Sequence, residues 1–232
     1  MGSDDLFHKR KHRTKESLCR KKVKREPYDV VLIVCEGEKT EPYYFEELRD
    51  ALGLHRDNIQ VTGECGSSPK SVVNEALRLF DLEPDFDAVF CVFDRDMHED
   101  YSAALERISA RPLNKRQGKR SVGKARFEAI TSVPCFEYWL LLHFHYTTHP
   151  YTGSGTKSPC DHVLDELKVR GIPDYEKGIK GWHERTRENL DTANHNAIRA
   201  LAAAEAAGTD NPTTLVHELV SYLQDLSEQQ KK

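Results

Sequence analysis

The chain has 232 residues, 31% of them charged and 38% apolar, with 34 lysines and arginines against 38 aspartates and glutamates. That length holds one α/β domain of ordinary size with a helical annex, and it can bury a real core. No apolar run approaches the ~18 residues of a membrane span, and the basic start has no apolar stretch behind it, which excludes a spanning helix and a secretory signal.

The charge is unevenly placed. Residues 1 to 26 carry ten lysines and arginines against four acids, so this arm is +6 and the remainder of the −4 chain is −10. Such an arm lacks the apolar content to fold alone. It reads as disordered, either touching phosphates through salt-sensitive contacts or serving as a solubilising leader. The cysteines Cys19, Cys35, Cys65, Cys91, Cys135 and Cys160 form no CxxC pair. Cys35 and Cys91 lie in apolar runs where a thiol behaves as a small hydrophobe, so a reducing cytoplasm is expected.

From Tyr28 onward apolar runs alternate with amphipathic ones, the pattern of strands joined by helical crossovers. DVVLIVCE reads as a strand. TEPYYFEELRDALGL follows as a helix with Thr40 at its N-cap and an apolar stripe of Tyr44, Phe45, Leu48 and Leu52. NIQVTGEC is a shorter strand, GSSPKSVVNEALRLFDL a helix capped at Ser67 or Ser68, and FDAVFCVFDRD a third strand. A helix, HEDYSAALERISA, then leads through a basic loop, RPLNKRQGKRSVGK, to a fourth strand, ARFEAITSV. Beyond it come a dense apolar helix (CFEYWLLLHFHY), a turn-rich loop, and helices over DHVLDELKVRG, TRENLDTANHNAIRALAAAEAAG and NPTTLVHELVSYLQDLSEQ. The expected architecture is a Rossmann-like α/β domain over 27–150 with a mostly parallel sheet flanked by helices. A helical C-terminal extension over 151–232 packs on it.

Parallel sheets bind ligands at the carboxyl ends of their strands. The first strand delivers Glu36 there, and the third delivers Asp94 and Asp96. Acids converging at one crevice raise one another's pKa, a cost that a divalent cation removes, and hard oxygen ligands suit Mg2+ or Mn2+. Solvated strand ends and helix caps explain isolated acids equally well, and Glu99 and Asp100 are read as such caps. A run of apolar residues ending in DxD also opens haloacid-dehalogenase-like phosphatases, in which the first Asp attacks phosphorus. Here Met97 and His98 follow where that reading expects Thr or Val.

VCEGEKTE followed by VFDRD resembles the Toprim pattern, a Glu after one strand and DxD after another. More closely, EGEKTEPYYF, DRD, PCFEYWLLLHF, YEKG and NPTTLVHEL make Val30 to Leu226 resemble the RloB-like family. The resemblance implies a Toprim-like sheet, with Glu36 as acid or base near a scissile phosphate and Asp94 and Asp96 as metal ligands. It also implies prokaryotic anti-phage or restriction-linked loci, often beside an ATPase. The expected activity is therefore metal-dependent hydrolysis of phosphodiester bonds in DNA or RNA, tRNA included, with an ATPase as protein partner and self-association left open. A Toprim-shaped module that only binds a nucleotide or a partner is the competing class.

Further candidates surround this centre. Lys39, in the turn into the first helix, suits a phosphate. Glu137 interrupts an apolar helix start and needs either a capping role or a place in the crevice. In the basic loop Lys115, Arg116, Lys119 and Arg120 are candidates for a polyanion, as is Lys180 near Trp182, although Trp182 itself reads as core. His143, His145 and His149 lack a partner ligand at zinc spacing.

Overall fold

The computed structural model describes residues 27–95, 98–118 and 120–231; the basic arm, Asp96, Met97 and Lys119 lie outside them. The chain begins with β1 (Val31–Cys35), α1 (Thr40–Ala51), β2 (Ile59–Thr62), α2 (Pro69–Leu82), β3 (Ala88–Asp94) and α3 (Tyr101–Ala110). It continues with β4 (Leu113–Gln117), β5 (Arg120–Val133), α4 (Glu137–Leu142) and α5 (Pro159–Arg170). It closes with α6 (Trp182–Thr186), α7 (Leu190–Ala206), β6 (Thr213–Thr214) and α8 (Val216–Gln230).

The sheet order is β2-β1-β3-β5-β4. The pairs β1–β2, β1–β3 and β3–β5 are parallel, with Val31 beside both Ile59 and Ala88, and Ala88 beside Arg126. β4 and β6 join β5 antiparallel. Each parallel neighbour is reached through a helix, as the apolar and amphipathic runs predict.

Alternation along β1 sends its side chains to two cores. Val31, Ile33 and Cys35 face α1 and the C-terminal helices, in a cluster that includes Tyr44, Trp139, Ala197 and Leu219. Leu32 and Val34 face α2 and α3, with Val72, Phe80 and Ile108. The C-terminal extension therefore shares a core with the sheet. It is also pinned by polar contacts: Tyr222 Oη donates to Asp29 Oδ2 at 2.7 Å, and Ser227 Oγ donates to the Leu52 carbonyl at 2.8 Å.

Two helix starts carry reciprocal side-chain caps, and two others depart from the expected capping. Ser68 and Ser71 form a reciprocal capping box at α2, and Ser158 and Asp161 do the same at α5. Thr40 does not cap α1. Lys39 holds the N-cap position, and the Thr40 hydroxyl instead accepts the Gly178 N–H at 3.0 Å. Asp100 sits at the N-cap of α3, but its carboxylate accepts the Lys70 N–H at the start of α2.

The basic loop is a β-hairpin. Lys115 pairs with Gly123 and Gln117 with Arg120, with an irregularity between Lys115 and Arg116. β5 reaches Asp94 only at Ser132, so at ~3.3 Å per residue Arg120 stands ~40 Å along the strand from the carboxylate end. The segment expected to meet a polyanion therefore stands at the far end of β5 from the acids, so only a ligand extended along the sheet would touch both.

Candidate active site

Three neighbouring parallel strands end at one place. Just past β1, the Glu36 N–H donates to the Val92 carbonyl of β3 at 2.9 Å, which keeps Glu36 in the sheet's hydrogen-bonding line. Its Oε2 accepts the backbone N–H of Asp94 at 3.0 Å, and its Oε1 lies 2.9 Å from His98 Nε2. Asp94 ends β3. Glu137 opens α4 directly after β5 and is almost wholly buried, at 2% exposure. Glu41, in the first turn of α1, completes the group. An open cavity of about 420 Å³ is lined by Gly37, Glu38, Lys39, Thr40, Glu41, Asp94, Glu137, Lys177 and Gly178.

The turn after β1 is shaped for close approach. A methyl group on Gly37 would sit 2.0 Å from Glu41 Oε2, and one on Gly63 would sit 2.1 Å from the Gly37 carbonyl oxygen. Only glycine lets the Glu41 carboxylate and the loop after β2 close on this turn. On the opposite wall the YEKG segment is drawn against α1. Glu47 accepts the Gly181 N–H at 2.6 Å and the His183 N–H at 3.2 Å, while Gly178, at φ +75°, packs against Lys39. Glu137 Oε1 then receives the Tyr175 hydroxyl at 3.0 Å and the Lys177 ammonium at 3.1 Å.

Electrostatics mark the cluster as short of positive charge. Burial lifts the Glu41 carboxyl to about 7; its backbone hydrogen bond opposes this, the Glu137 charge adds to it, and Lys177 and Glu36 follow with smaller effects of opposite sign. Burial, then Glu41 and Glu137, pushes Asp94 well above the usual carboxylate range, although the Phe136 amide donates to it. Burial works against the Lys177 ammonium, yet Glu137 and Cys160 hold it well above its ordinary value. No three of the four carboxylates bring oxygens within 4.8 Å of one another, as expected of like charges that share one lysine. The donor set is all oxygen and faces an open cavity, so it fits Mg2+ or Mn2+ with room for water and a phosphate.

Of the residues expected from the sequence, Glu36, Asp94 and Glu137 meet here, and Lys39 lines the same cavity. Asp96 and Lys119 lie outside the described residues. Lys115 is ion-paired with Asp87 at the far end of the sheet, where Arg116 and Arg120 also stand. Lys180 rests over the Tyr43 ring, 4.6 Å from its centroid, on the α1 surface beside the pocket rather than in its lining. Trp182 is core, 4.9 Å from the Tyr175 ring. The histidines do not gather around a zinc position: His143 is buried against the Trp139 carbonyl, His145 pairs with Glu166 at 3.3 Å, and His149 is exposed.

Glu41, His98, Tyr175 and Lys177 are site residues that the strand-end pattern does not single out. For Glu41 a signal exists: it lies three, four and seven positions before Tyr44, Phe45 and Leu48, and so falls on the apolar stripe of its helix. A carboxylate on a buried stripe needs a partner. Tyr175 and Lys177 arrive from far along the chain, and no local pattern marks them.

Fold and pocket together define an α/β protein with an acidic crevice at the carboxyl ends of adjacent parallel strands. Residues 31–223 match the family model described as RloB-like protein, and the chain belongs to that family. No curated protein and no solved structure matches it.

Proposed function

We propose that the chain is a metal-dependent nuclease hydrolysing phosphodiester bonds in DNA or RNA, tRNA included, and that it acts with an ATPase partner in prokaryotic anti-phage defence. The observation that carries the hydrolytic reading is the meeting of Glu41, Asp94 and Glu137 around an open cavity at the carboxyl end of the sheet, with Glu36 bound to the Asp94 backbone N–H behind them. Family membership supports the association with defence and an ATPase.

Glu41, Asp94, Glu137 and Glu36 would hold Mg2+ or Mn2+, which when bound supplies charge neutralisation for a phosphate that four carboxylates would otherwise repel. Lys39 and Lys177, on the cavity lining, attract the phosphate and orient it against the acidic wall. Glu36 would serve as the proton acceptor, with His98 Nε2, 2.9 Å from its Oε1, orienting the carboxylate. The Tyr175 hydroxyl and Lys177 keep Glu137 oriented toward the cavity.

Asp94 is poorly suited to attack phosphorus itself. Its carboxyl accepts the Phe136 amide and is flanked by three other acids, which disfavours the phosphatase alternative. The test is to incubate the full chain with duplex DNA, single-stranded RNA and tRNA in Mg2+ or Mn2+. Cleavage that stops on chelation and is absent from Asp94→Asn and Glu41→Gln is the expected result. Cleavage that survives both substitutions, or release of phosphate from small phosphomonoesters in place of cleavage, overturns the reading.

A further inference from the structure

Behind the pocket wall formed by Glu137, two thiols and that carboxylate face one another. Cys135 lies in the turn between β5 and α4, Glu137 opens α4, and Cys160 is in the first turn of α5. All three are buried, and their Sγ, Oε and Sγ atoms lie within 4.8 Å of one another. Cys160 Sγ stands 3.6 Å from Glu137 Oε2, and the Lys177 ammonium is 3.5 Å from Cys160 Sγ. Among the described residues this is the one group of three metal-ligating side chains that close together.

We propose that Cys135, Glu137 and Cys160 form a binding site for a thiophilic divalent cation of the Zn2+ class, separate in chemistry from the oxygen-lined position beside it. Zinc holds thiolates at ~2.3 Å and carboxylate oxygens at ~2.0–2.2 Å, so tetrahedral geometry sets ligand atoms about 3.5–3.8 Å apart along each edge. The observed 3.6 Å between Cys160 Sγ and Glu137 Oε2 matches such an edge. The remaining spacing, bounded by 4.8 Å, closes with small side-chain rotations.

The position already attracts positive charge, for the Lys177 ammonium touches both Glu137 and Cys160. That side chain is 54% exposed and can swing into solvent when an ion enters. Cys160 follows Ser158 and Pro159 at the start of a 12-residue helix, which fixes its place beside Glu137. The open cavity on the Glu137 side leaves a fourth ligand position for water or for an oxygen of the substrate. Two sulfurs select against Mg2+, whose ligands are oxygens. The site stands whether or not the carboxylates cleave a phosphodiester.

The test uses the full chain under reducing conditions, loaded with Co2+ as a spectroscopic stand-in and with Zn2+ for X-ray absorption. Expected are a thiolate-to-cobalt charge-transfer band, lost in Cys135→Ser and in Cys160→Ser and retained in Asp94→Asn, together with a zinc shell containing two sulfurs. The Cys19→Ser, Cys65→Ser double variant removes thiols outside the trio and keeps the trio intact, so it should retain both signals even if a buried serine variant fails to fold. No band in the unaltered chain, a band that survives both trio substitutions, or signals lost in the Cys19 and Cys65 variant would overturn the assignment and leave the trio as a hydrogen-bonded cluster. Since the readouts are spectroscopic, a failure here is distinguishable from a failure of the hydrolytic reading.

Discussion

The Glu36 carboxylate accepts the backbone N–H of Asp94 at 3.0 Å, and this side chain fastens the end of β1 to the end of β3. With His98 on its other oxygen, Glu36 is oriented by contacts at both ends of the carboxylate. The position of the acidic pocket therefore follows from which strands are neighbours.

Glu41→Gln should stabilise the cation-free protein while removing its response to Mg2+. The Glu41 carboxyl is raised to about 7 from an ordinary value near 4.5, so the folded chain binds the extra proton between those values. Its contribution is present below ~4.5 and lost as pH rises through ~7, at a cost on the order of 3 kcal/mol at most. Thermal melts at pH 8 in chelator should show a higher Tm for the variant, and added Mg2+ should raise Tm only in the unaltered chain. An equal Mg2+ response in both would remove Glu41 from the site.

Gly37→Ala is expected to abolish cation binding with a modest loss of stability. The new methyl group would stand 2.0 Å from Glu41 Oε2 and must expel that carboxylate from its seat, and overpacking of this kind costs ~1–3 kcal/mol. Titration calorimetry with Mn2+ measures the loss. Binding as tight as in the unaltered chain would show that Glu41 is not needed where it lies.

Glu47→Gln probes the docking of the YEKG segment without touching the acids. It weakens charge-assisted bonds to the Gly181 and His183 amides, for a loss of ~1–2 kcal/mol. If Lys177 orients a phosphate, the substitution raises KM and leaves kcat nearly unchanged. An unaltered KM would mean that the segment is held by other contacts.

Acid sensitivity should reside in His143, whose burial lowers its pKa to about 4 from 6.5. The unfolded chain binds the proton first as pH falls, so stability present above ~6.5 is lost on the way to ~4, by on the order of 3 kcal/mol. Glu41 acts in the opposite sense over much of this window. Cation-free Glu41→Gln should therefore lose stability on acidification more steeply than the unaltered chain, and His143→Gln less steeply. Parallel pH profiles for all three proteins would contradict both assignments.

Lys39→Ala should reduce cleavage at limiting substrate by about 100-fold, the lower end of what removal of one preorganised donor to a developing anion costs. The Arg116→Ala, Arg120→Ala pair should leave kcat unchanged, because the hairpin stands at the other end of the sheet. A collapse of kcat in the hairpin pair would place those arginines at the reacting phosphate after all.

Local periodicity was enough to read the β-α alternation, the burial of β1 and β3, and the placement of Glu36 and Asp94 at strand ends, because alternation and 3.6-residue spacing are written into neighbouring residues. Glu137 and Lys39 were legible for the same reason, as polar residues interrupting apolar or turn patterns. The hairpin of Lys115 and Arg120 was not: its pairing depends on hydrogen bonds across the turn, and its charged sequence looks like a loop. The stripe of its helix marks Glu41 as a carboxylate in need of a partner, but neither the identity of its neighbours nor the arrival of Tyr175, Lys177 and Cys160 beside Glu137 is written locally. Cys160, Tyr175 and Lys177 meet Glu137 from 23 to 40 positions away, and only the packing of α4, α5 and the YEKG segment against one face of the sheet brings them together.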